Sequence, residues 1–295
     1  MAMERNSSCV YKSFNQTILP FVLLGVFASC YHPSGVYAFQ DILPRSARAL
    51  GTGATLAASP YDPASRLANP AAGTWIKDWG ATIQYARQWG LPELDRFQGS
   101  VLGRRGPWVG GLQAIGFGKG VYEERTAGAS ISRQWQGSYS VGAALNLQHL
   151  HIDEYMDEWG LGAAFGVLVH GKPGAAAVVV ENIATTGLTG DHVRPNLRFR
   201  LAGKKPLLKR LHLHMEWEIE EHLSGTVRIG LESQLPNGIR LSAGYADASG
   251  RFFVGLGFLY RSLRVDAGND YHPDLGWSHA YGITRTGPAD PDTAP

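Results

Sequence analysis

The chain has few cysteines and few charged residues, and beyond its N-terminal segment it has no long apolar run. Its two cysteines are Cys9 and Cys30, so the rest of the 295 residues can form neither a disulfide framework nor a thiolate metal site. Charged residues make up 18% of the chain, below the quarter that is usual in soluble domains. The formal net charge of +2 gives little of the excess positive charge that is typical of nucleic-acid-binding proteins. Since no run of 18 apolar residues follows the N-terminus, a helical membrane protein is disfavoured.

No familiar catalytic motif occurs in the chain. The hydrolase pattern G-x-S-x-G and the zinc-protease pattern H-E-x-x-H are both absent, and no cysteine follows residue 30. Asp274, Ser278 and His279 lie close together in sequence, but a catalytic triad is recognised by its geometry in space. We therefore predict that the protein is not an enzyme and uses no cofactor.

The first 38 residues have the features of a secretory signal peptide. A positively charged start precedes an apolar core at Ile18–Ala28, and residues 36–38 place small side chains before a cleavage point. Cys30 offers an alternative, lipoprotein-type site, although Phe27 is bulkier than the leucine usual there. We predict cleavage after Ala38, and hence export.

Alternating side chains dominate the C-terminal part of the chain. Residues 225–285 divide into five segments of about ten residues each; in the first, Val227, Ile229 and Leu231 alternate with small or charged residues. A period of two predicts β-strands with one apolar face. The joints are short, such as Pro-Asn-Gly at residues 236–238, so neighbouring strands must be antiparallel.

The same pattern extends back to Trp79 and predicts about 14 strands within residues 79–286. The polar faces carry glycine, arginine and glutamate, and the apolar faces carry large aliphatic and aromatic side chains. This suits a barrel with lipid outside and a polar interior. We predict an all-β fold, a closed antiparallel transmembrane barrel. Aromatic residues recur near the predicted strand ends, as in the headgroup girdles of such barrels: Trp79, Trp108, Trp135, Tyr139, Trp159, Tyr260, Tyr271, Trp277 and Tyr281.

Residues 39–78 differ in composition from the predicted barrel, since they are rich in alanine, glycine and proline and show no strand period. Their motif residues are Gly51, Gly53, Asp62, Pro63, Asn69 and Pro70. Together these resemble the opening of FadL-like outer-membrane barrels, and most closely of their PorV/PorQ branch. The resemblance implies that residues 39–78 form a hatch in the lumen, and fourteen strands is also the count in that family.

The end of the barrel region carries a second part of the resemblance. The residues 274–276, 278–279 and Gly282 match the closing pattern of the family. Outer-membrane barrels commonly end on an aromatic residue, whereas here a proline-rich tail, residues 287–295, follows and is predicted to be disordered.

One predicted strand, Leu211–His222, places histidines and carboxylates on a single face. Two imidazoles and three carboxylates could bind a divalent metal only if a neighbouring strand completed the site. Arginines on the flanking strands favour a salt-bridged lumen wall instead, and we predict no metal. The predicted ladder consists of Arg198, Arg200, His212, His214, Glu216, Glu218, Glu220, Arg228 and Arg240.

A glycine-rich strand at residues 109–120 lacks the spacing of a nucleotide-binding loop. Its glycines Gly110, Gly111, Gly116 and Gly118 predict either a kinked strand that frames a lateral opening, or small residues that let the hatch approach the wall.

The resemblance implies a function as well as a fold. PorV-like members are accessory barrels of a secretion system, so we predict a type IX-like secretion accessory in the outer membrane of a Gram-negative-type bacterium, with lipid and exported proteins as partners. One alternative is a FadL-like passive transporter of hydrophobic small molecules, which should show an apolar pocket between hatch and wall. Another is a structural barrel without cargo.

Overall fold

The computed structural model describes residues 46–183, 186–189, 196–221 and 225–287. The predicted signal peptide, both cysteines, residues 39–45 of the predicted hatch and residues 288–295 of the tail lie outside these ranges. The strands are β1 Trp79–Arg87, β2 Asp95–Arg105, β3 Trp108–Gly118, β4 Tyr122–Trp135, β5 Tyr139–Ile152, β6 Met156–Gly171, β7 Gly174–Glu181, β8 Thr186–Gly187, β9 Arg198–Leu208, β10 Leu211–Glu220, β11 Thr226–Gln234, β12 Ile239–Ala246, β13 Arg251–Tyr260, β14 Leu263–His272 and β15 Gly276–Thr286.

Within these ranges, fourteen of the strands form one closed antiparallel ring. Strands β1 to β7 pair in chain order, β7 pairs directly with β9, β9 to β15 again pair in chain order, and β1 pairs with β15 to close the ring. The two-residue strand β8 pairs only with β6, at Gly160 and Leu161. The arrangement confirms the predicted fold class, a closed barrel of 14 antiparallel strands.

The two ends of the barrel differ in their connections. We call the end where β1 begins and β15 ends the near end, and the opposite end the far end. Near-end turns are tight: β13 and β14 are joined by two residues, of which Arg261 adopts a positive φ of 54°. Far-end connections include residues 88–94 and 182–197, which are the longest in the barrel. Among the connections that the structure describes in full, the longest is the seven-residue segment 88–94.

The apolar face of every strand predicted in residues 225–285 points outward. On β13, Val254, Leu256 and Phe258 are all about half exposed, whereas Phe253, which precedes Val254, is buried. Inward-facing positions instead carry buried polar groups such as Glu232. This inside-out distribution is that of a transmembrane barrel, whose exterior meets hydrocarbon.

The assignment of faces predicts how a new charge will be tolerated. Leu256, at the centre of β13, is 56% exposed on the outer surface. We expect Leu256→Arg to destabilise the barrel by about 2–4 kcal/mol, because an arginine there must enter the bilayer midplane. Reversible urea unfolding in lipid vesicles measures this difference.

A lumen-facing control makes the test specific. Thr226 faces inward and lines a cavity, so Thr226→Arg should cost less than about 1 kcal/mol. Ser140 also faces inward but makes a poor control, since it is fully buried and its Oγ donates to the Ala71 carbonyl oxygen at 2.8 Å. Equal penalties for Leu256→Arg and Thr226→Arg would mean that the faces are assigned wrongly.

Aromatic residues lie in two outward-facing groups. Trp79, Trp108, Trp135, Tyr139 and Tyr260 lie at near-end strand termini, and Trp159, Tyr271 and Trp277 lie at far-end termini. At the near end, the Arg133 guanidinium lies over the rings of Trp108 and Trp135. Tyr281 differs from the prediction, since it lies in the middle of β15. The other eight positions suit rings that settle at the level of lipid headgroups.

Residues 46–78, which we call the inner segment, contain short helical turns and no strand. Helix α1, Ala47–Gly51, begins at Ser46, whose hydroxyl accepts the Ala49 N–H, and a 3₁₀ turn at Pro63–Leu67 begins at Asp62 in the same way. The apolar core lies between this segment and the wall: Ala57, Ala58, Ala71 and Ala72 pack against Leu168, Ala177, Val179 and Ala202. No helix among the described residues is long and apolar enough to cross a bilayer.

Candidate functional site

The inner segment approaches the barrel wall at positions where both chains carry small residues. A Cβ built on Gly51 would lie 2.7 Å from the Gly255 Cα, and one built on Gly53, where φ is +71°, would lie 2.8 Å from the Ile229 carbonyl oxygen. Pro63 packs against Gly80 of β1 with equal closeness. Both motif glycines are therefore required for close backbone contact.

Asn69 and Pro70 shape the C-terminal part of the inner segment. The Asn69 Nδ2 donates to the Ala57 carbonyl oxygen at 2.8 Å, and its Oδ1 accepts the Ala71 N–H at 2.8 Å. Asn69 also packs onto Gly166 of β6, and the Pro70 carbonyl packs onto Gly142 of β5. This asparagine therefore ties two turns of the segment together while it contacts the wall.

Inward-facing glycines of the wall are contact residues that the sequence analysis missed. Gly142, Gly166, Gly230 and Gly268 each lie so close to the inner segment that a Cβ would overlap it. All four are glycines on the polar face of a strand, and this shared feature can be recognised once the strand register is known.

One of these glycines provides a prediction. We expect Gly142→Val to displace the inner segment without unfolding the barrel, because the new side chain would overlap the Pro70 carbonyl group. Limited proteolysis of folded protein should then cut within residues 46–78. Gly110→Val is the matched control, since Gly110 faces outward with no atom within 4 Å of its Cβ position. Equal protection of both variants would contradict the contact.

Six charged residues join the inner segment to the wall in a closed ring of alternating charge. In order around the ring they are Arg48, Asp62, Arg264, Asp266, Arg240 and Glu232. We call this set the charge ring. Two members come from the inner segment and four from strands β11, β12 and β14, so the ring links parts of the chain that are distant in sequence.

The geometry of the charge ring is that of buried, fully paired ions. Arg48 binds Glu232 in a bidentate manner, with two N–O distances of 2.7 Å, and its Nη1 lies 2.7 Å from Asp62 Oδ2. Arg264 bridges Asp62 at 2.6 Å and Asp266 at 2.8 Å. Charges removed from water are tolerated only when paired in this way.

Asp62 lies at the point where the ring meets the 3₁₀ turn. Burial alone would raise the pKa of its carboxyl, but the Arg264 and Arg48 guanidinium groups outweigh burial and hold that pKa below the ordinary value. A depressed folded pKa stabilises the fold above the unfolded pKa, and the contribution is lost as pH falls through the folded pKa. The ring therefore keeps its full strength at neutral pH and weakens only in strong acid.

The structure divides the predicted charge ladder into parts. Arg198, Arg200, Glu216, Glu218, Glu220 and Arg228 form one inward-facing cluster on β9, β10 and β11. Arg240 belongs to the charge ring. His214 is fully buried, and its Nδ1 lies 3.2 Å from the Thr55 carbonyl oxygen, whereas His212 lines a cavity at the near end.

Pairing in this cluster runs across strands. Arg198 pairs with Glu220 at 2.8 Å, and Glu218 lies 2.9 Å from both Arg200 and Arg228. Glu181 of β7, which the sequence analysis did not single out, also pairs with Arg200. Among the described residues, no three His, Cys, Asp or Glu side chains group as a metal site would require. The cluster is thus a salt-bridged part of the lumen wall.

The four glycines predicted to frame a lateral opening lie on a continuous strand. Strand β3 pairs with β2 and β4 without interruption along its length, so the described wall is closed at this strand. Gly111 faces the lumen, where a Cβ would meet the Arg66 guanidinium at 2.9 Å. Gly110 and Gly116 face outward, and Gly118 has a positive φ of 83° at the turn. Only Gly111 serves the approach of the inner segment, and the lateral opening stays a prediction.

Two cavities flank the inner segment inside the barrel. The far-end cavity, of about 480 Å³, is bounded by Leu56, Trp89 and Phe253 together with arginines and glutamates of the salt-bridged cluster. The near-end cavity, of about 470 Å³, is bounded by Tyr61, His170 and members of the charge ring. Neither has the purely apolar lining expected of a hydrophobic transporter.

The fold is similar to that of known channels. The CymD monoaromatic hydrocarbon channel matches with a TM-score of 0.61 at 11% identity, over 86% of this chain and 100% of that one. The P. putida toluene transporter TodX matches with a TM-score of 0.58 at 11% identity, over 83% and 99%. A FadL homologue of Pseudomonas aeruginosa matches with a TM-score of 0.57 at 13% identity, over 81% and 96%.

No protein-family model matches the chain, and no curated protein matches it. At identities of 11–13%, the structural matches establish a shared fold and nothing finer. The chain therefore has the barrel fold of FadL-like hydrocarbon channels, while membership of the PorV/PorQ branch stays a prediction.

Proposed function

We propose that this protein is a non-enzymatic outer-membrane channel through which small hydrophobic molecules pass, and that its inner segment plugs the lumen. The observation that carries the proposal is a closed 14-strand barrel whose interior is occupied by residues 46–78 and held by the charge ring. Similarity of fold to hydrocarbon and toluene channels over more than four-fifths of the chain supports it.

The far-end cavity is the proposed entry site. Its arginines and glutamates are largely paired with one another, so most of their charge is already neutralised. The cavity is also lined by apolar side chains that a solute would contact, among them Leu56, Trp89 and Phe253. We therefore favour small molecules with an apolar body over ions or sugars, because the surrounding charges keep their own partners.

The location in the outer membrane rests on the exterior of the barrel. An apolar outer surface with aromatic residues at both ends suits a bilayer, and in bacteria single-chain barrels of even strand number are outer-membrane proteins. The proposed signal peptide at residues 1–38 would supply export. Cell fractionation should place the protein with outer-membrane markers; recovery in the soluble periplasmic fraction would overturn the location.

The secretion-accessory role has less support. Most far-end connections of the described barrel are short, as between β12 and β13, and leave little surface for an exported protein partner. Such a role predicts that secreted proteins co-purify with the barrel, whereas a passive channel predicts that they do not. A structural barrel without cargo predicts neither co-purification nor transport.

Solute uptake tests the proposed channel. Gram-negative cells that express the full chain should take up radiolabelled toluene faster than cells carrying an empty vector, while glycerol uptake stays unchanged. Thr226→Trp, which narrows the far-end cavity, should abolish the gain. Val227→Trp, the adjacent outward-facing position, should retain it. Equal toluene uptake with and without the protein would refute the channel.

A further inference from the structure

The near-end cavity carries more positive than negative charge among the residues that the structure describes. Its volume is about 470 Å³, and its lining includes the three arginines of the charge ring. The three carboxylates of the ring balance those arginines, so the ring adds no net charge. Lys172 and Lys204 also line the cavity, and within the described part of the chain neither forms an ion pair. The cavity therefore has a surplus of two positive charges, even with its histidines neutral.

Lys204 lies on the inner face of β9 and is partly buried. Its cross-strand partner on β7 is Ala175, whose small side chain also lines the cavity. Its partner on β10 is His214, whose Nδ1 lies 3.2 Å from the Thr55 carbonyl oxygen. Neither neighbour is an acid. Because a partly buried ammonium requires hydrogen-bond acceptors, Lys204 is available to an anion in the cavity.

Uncharged hydrogen-bonding groups surround the same cavity. His212 of β10 and Gln234 of β11 line it, and no described residue forms a hydrogen bond with either side chain. On the opposite side, the Tyr61 hydroxyl of the inner segment lies 3.1 Å from His170 Nε2 of β6. Amide, imidazole and phenol groups can all donate hydrogen bonds. Since they come from separate strands and from the inner segment, they can contact one ligand from several sides.

We propose that the near-end cavity binds a phosphate group, either free phosphate or the phosphate of a small organic phosphoester. Such a group carries a charge of about −1.5 to −2 at pH 7, which matches the surplus of the two lysines. Its oxygens accept hydrogen bonds from Lys204, His212 and Gln234. A cavity of about 470 Å³ lies in the size range of small-molecule sites, so an organic body fits beside the phosphate. The site is separate from the far-end cavity and does not depend on the proposed channel.

The near end is the side from which the ligand enters. Tight turns like those of the near end are typical of the periplasmic side of bacterial barrels. Lys172 lies exposed in the two-residue turn between β6 and β7, at the mouth of the cavity. A positive charge at the mouth of a cleft raises the local concentration of anions. The cavity therefore takes its anion from the periplasm.

Isothermal titration calorimetry of the full-length protein in detergent, at constant sodium chloride concentration, tests the site. Inorganic phosphate should bind saturably, with one ion per chain. Lys204→Met should weaken binding about tenfold or more, because it removes a charged hydrogen-bond donor. Lys205→Met is the matched control, since Lys205 is exposed on the outer face of β9 and lies outside the cavity. It removes the same charge from the chain and should bind phosphate as wild type does.

A second pair of variants adds a carboxylate instead of removing a lysine. Ala175→Glu places an acid opposite Lys204, and the new ion pair should abolish phosphate binding. Ala175→Gln has nearly the same volume without the charge and should bind phosphate more tightly than Ala175→Glu does. Heat-dependent migration on gels verifies that each variant forms the folded barrel.

Titrations with glycerol 3-phosphate and with succinate identify the ligand. Tighter binding of glycerol 3-phosphate than of inorganic phosphate assigns the site to phosphoesters, and the reverse order assigns it to free phosphate. Tighter binding of succinate than of either phosphate compound would overturn the proposal. So would equal phosphate affinities of Lys204→Met and Lys205→Met, or the lack of saturable phosphate binding by the wild type.

Discussion

Removal of residues 46–76 should convert a closed barrel into an open pore. The inner segment packs against Gly142, Gly166 and Gly230 on different strands, so it spans the lumen from wall to wall. Without it, water should fill the interior of a 14-strand barrel, and single-channel conductance in planar bilayers should rise about tenfold or more. Neither the ring closure between β1 and β15 nor any other strand pairing involves the deleted residues.

A replacement variant separates plugging from chain length. A glycine–serine chain of equal length in place of residues 46–76 has neither Arg48 nor Asp62, so it cannot complete the charge ring. It should conduct nearly as well as the deletion. A wild-type conductance equal to that of the deletion variant would show that the inner segment does not obstruct the lumen.

Loss of Arg48 should be the most destabilising single change in the charge ring. Arg48→Met leaves Glu232 with a longer contact to Arg240, at 3.4 Å, and leaves Asp62 with Arg264 alone. Breaking a buried ion pair by removal of one partner costs about 3–5 kcal/mol. Amide hydrogen exchange within the inner segment should accelerate by the corresponding factor, because that segment loses its ion pair with Glu232 of β11.

An exposed ion pair and a double variant serve as controls. Arg87→Met removes the pair with Asp95, in which Arg87 is 38% exposed, and should change stability far less than Arg48→Met does, because water screens an exposed pair. Adding Glu232→Gln to Arg48→Met should restore part of the loss, since an uncompensated buried charge is then removed. Equal effects of Arg48→Met and Arg87→Met would contradict a structural role for the ring.

The barrel itself could be predicted because each strand repeats one simple pattern. Alternation is unambiguous on β11, β12 and β13, where the outward residues are large and the joints are short. Strand β9 shows the limit of this reasoning: Lys204, Lys205 and Pro206 break the alternation, so the pattern alone predicts a strand that ends at Gly203. The strand continues to Leu208, because Pro206 lies next to a register shift in the pairing with β10.

The candidate site was predicted only in part, for a physical reason. The alternating faces placed Glu216, Glu218 and Arg228 on the lumen side, and cross-strand pairing followed from that. Arg48 and Glu232 form an ion pair although 184 residues of sequence separate them. Only the folded barrel, with the inner segment inside it, brings the two side chains together. The strand alternation says nothing about an irregular segment, so the charge ring could not be foreseen.

The comparisons support the predicted fold more fully than the predicted function. The motifs around Asp62 and Asn69 indicated a FadL-like barrel, and the fold of the chain is that of FadL-like hydrocarbon channels. They also favoured the PorV/PorQ branch and a role in secretion, for which the structural matches offer no support. These short motifs stabilise turns that pack against the barrel wall. They therefore indicate how the inner segment packs, and branches of a family that differ in function share such packing.

The central claim is that the apolar side of each strand faces lipid and the polar side faces the lumen. The most direct test is spin labelling of single cysteines at consecutive positions of β5, from Ala143→Cys to Leu147→Cys, in a protein without Cys9 and Cys30. Labels at Ala143, Leu145 and Leu147 should collide frequently with oxygen and rarely with a water-soluble nickel complex, whereas Ala144 and Asn146 should show the reverse. An unvarying or inverted pattern along β5 would contradict the account.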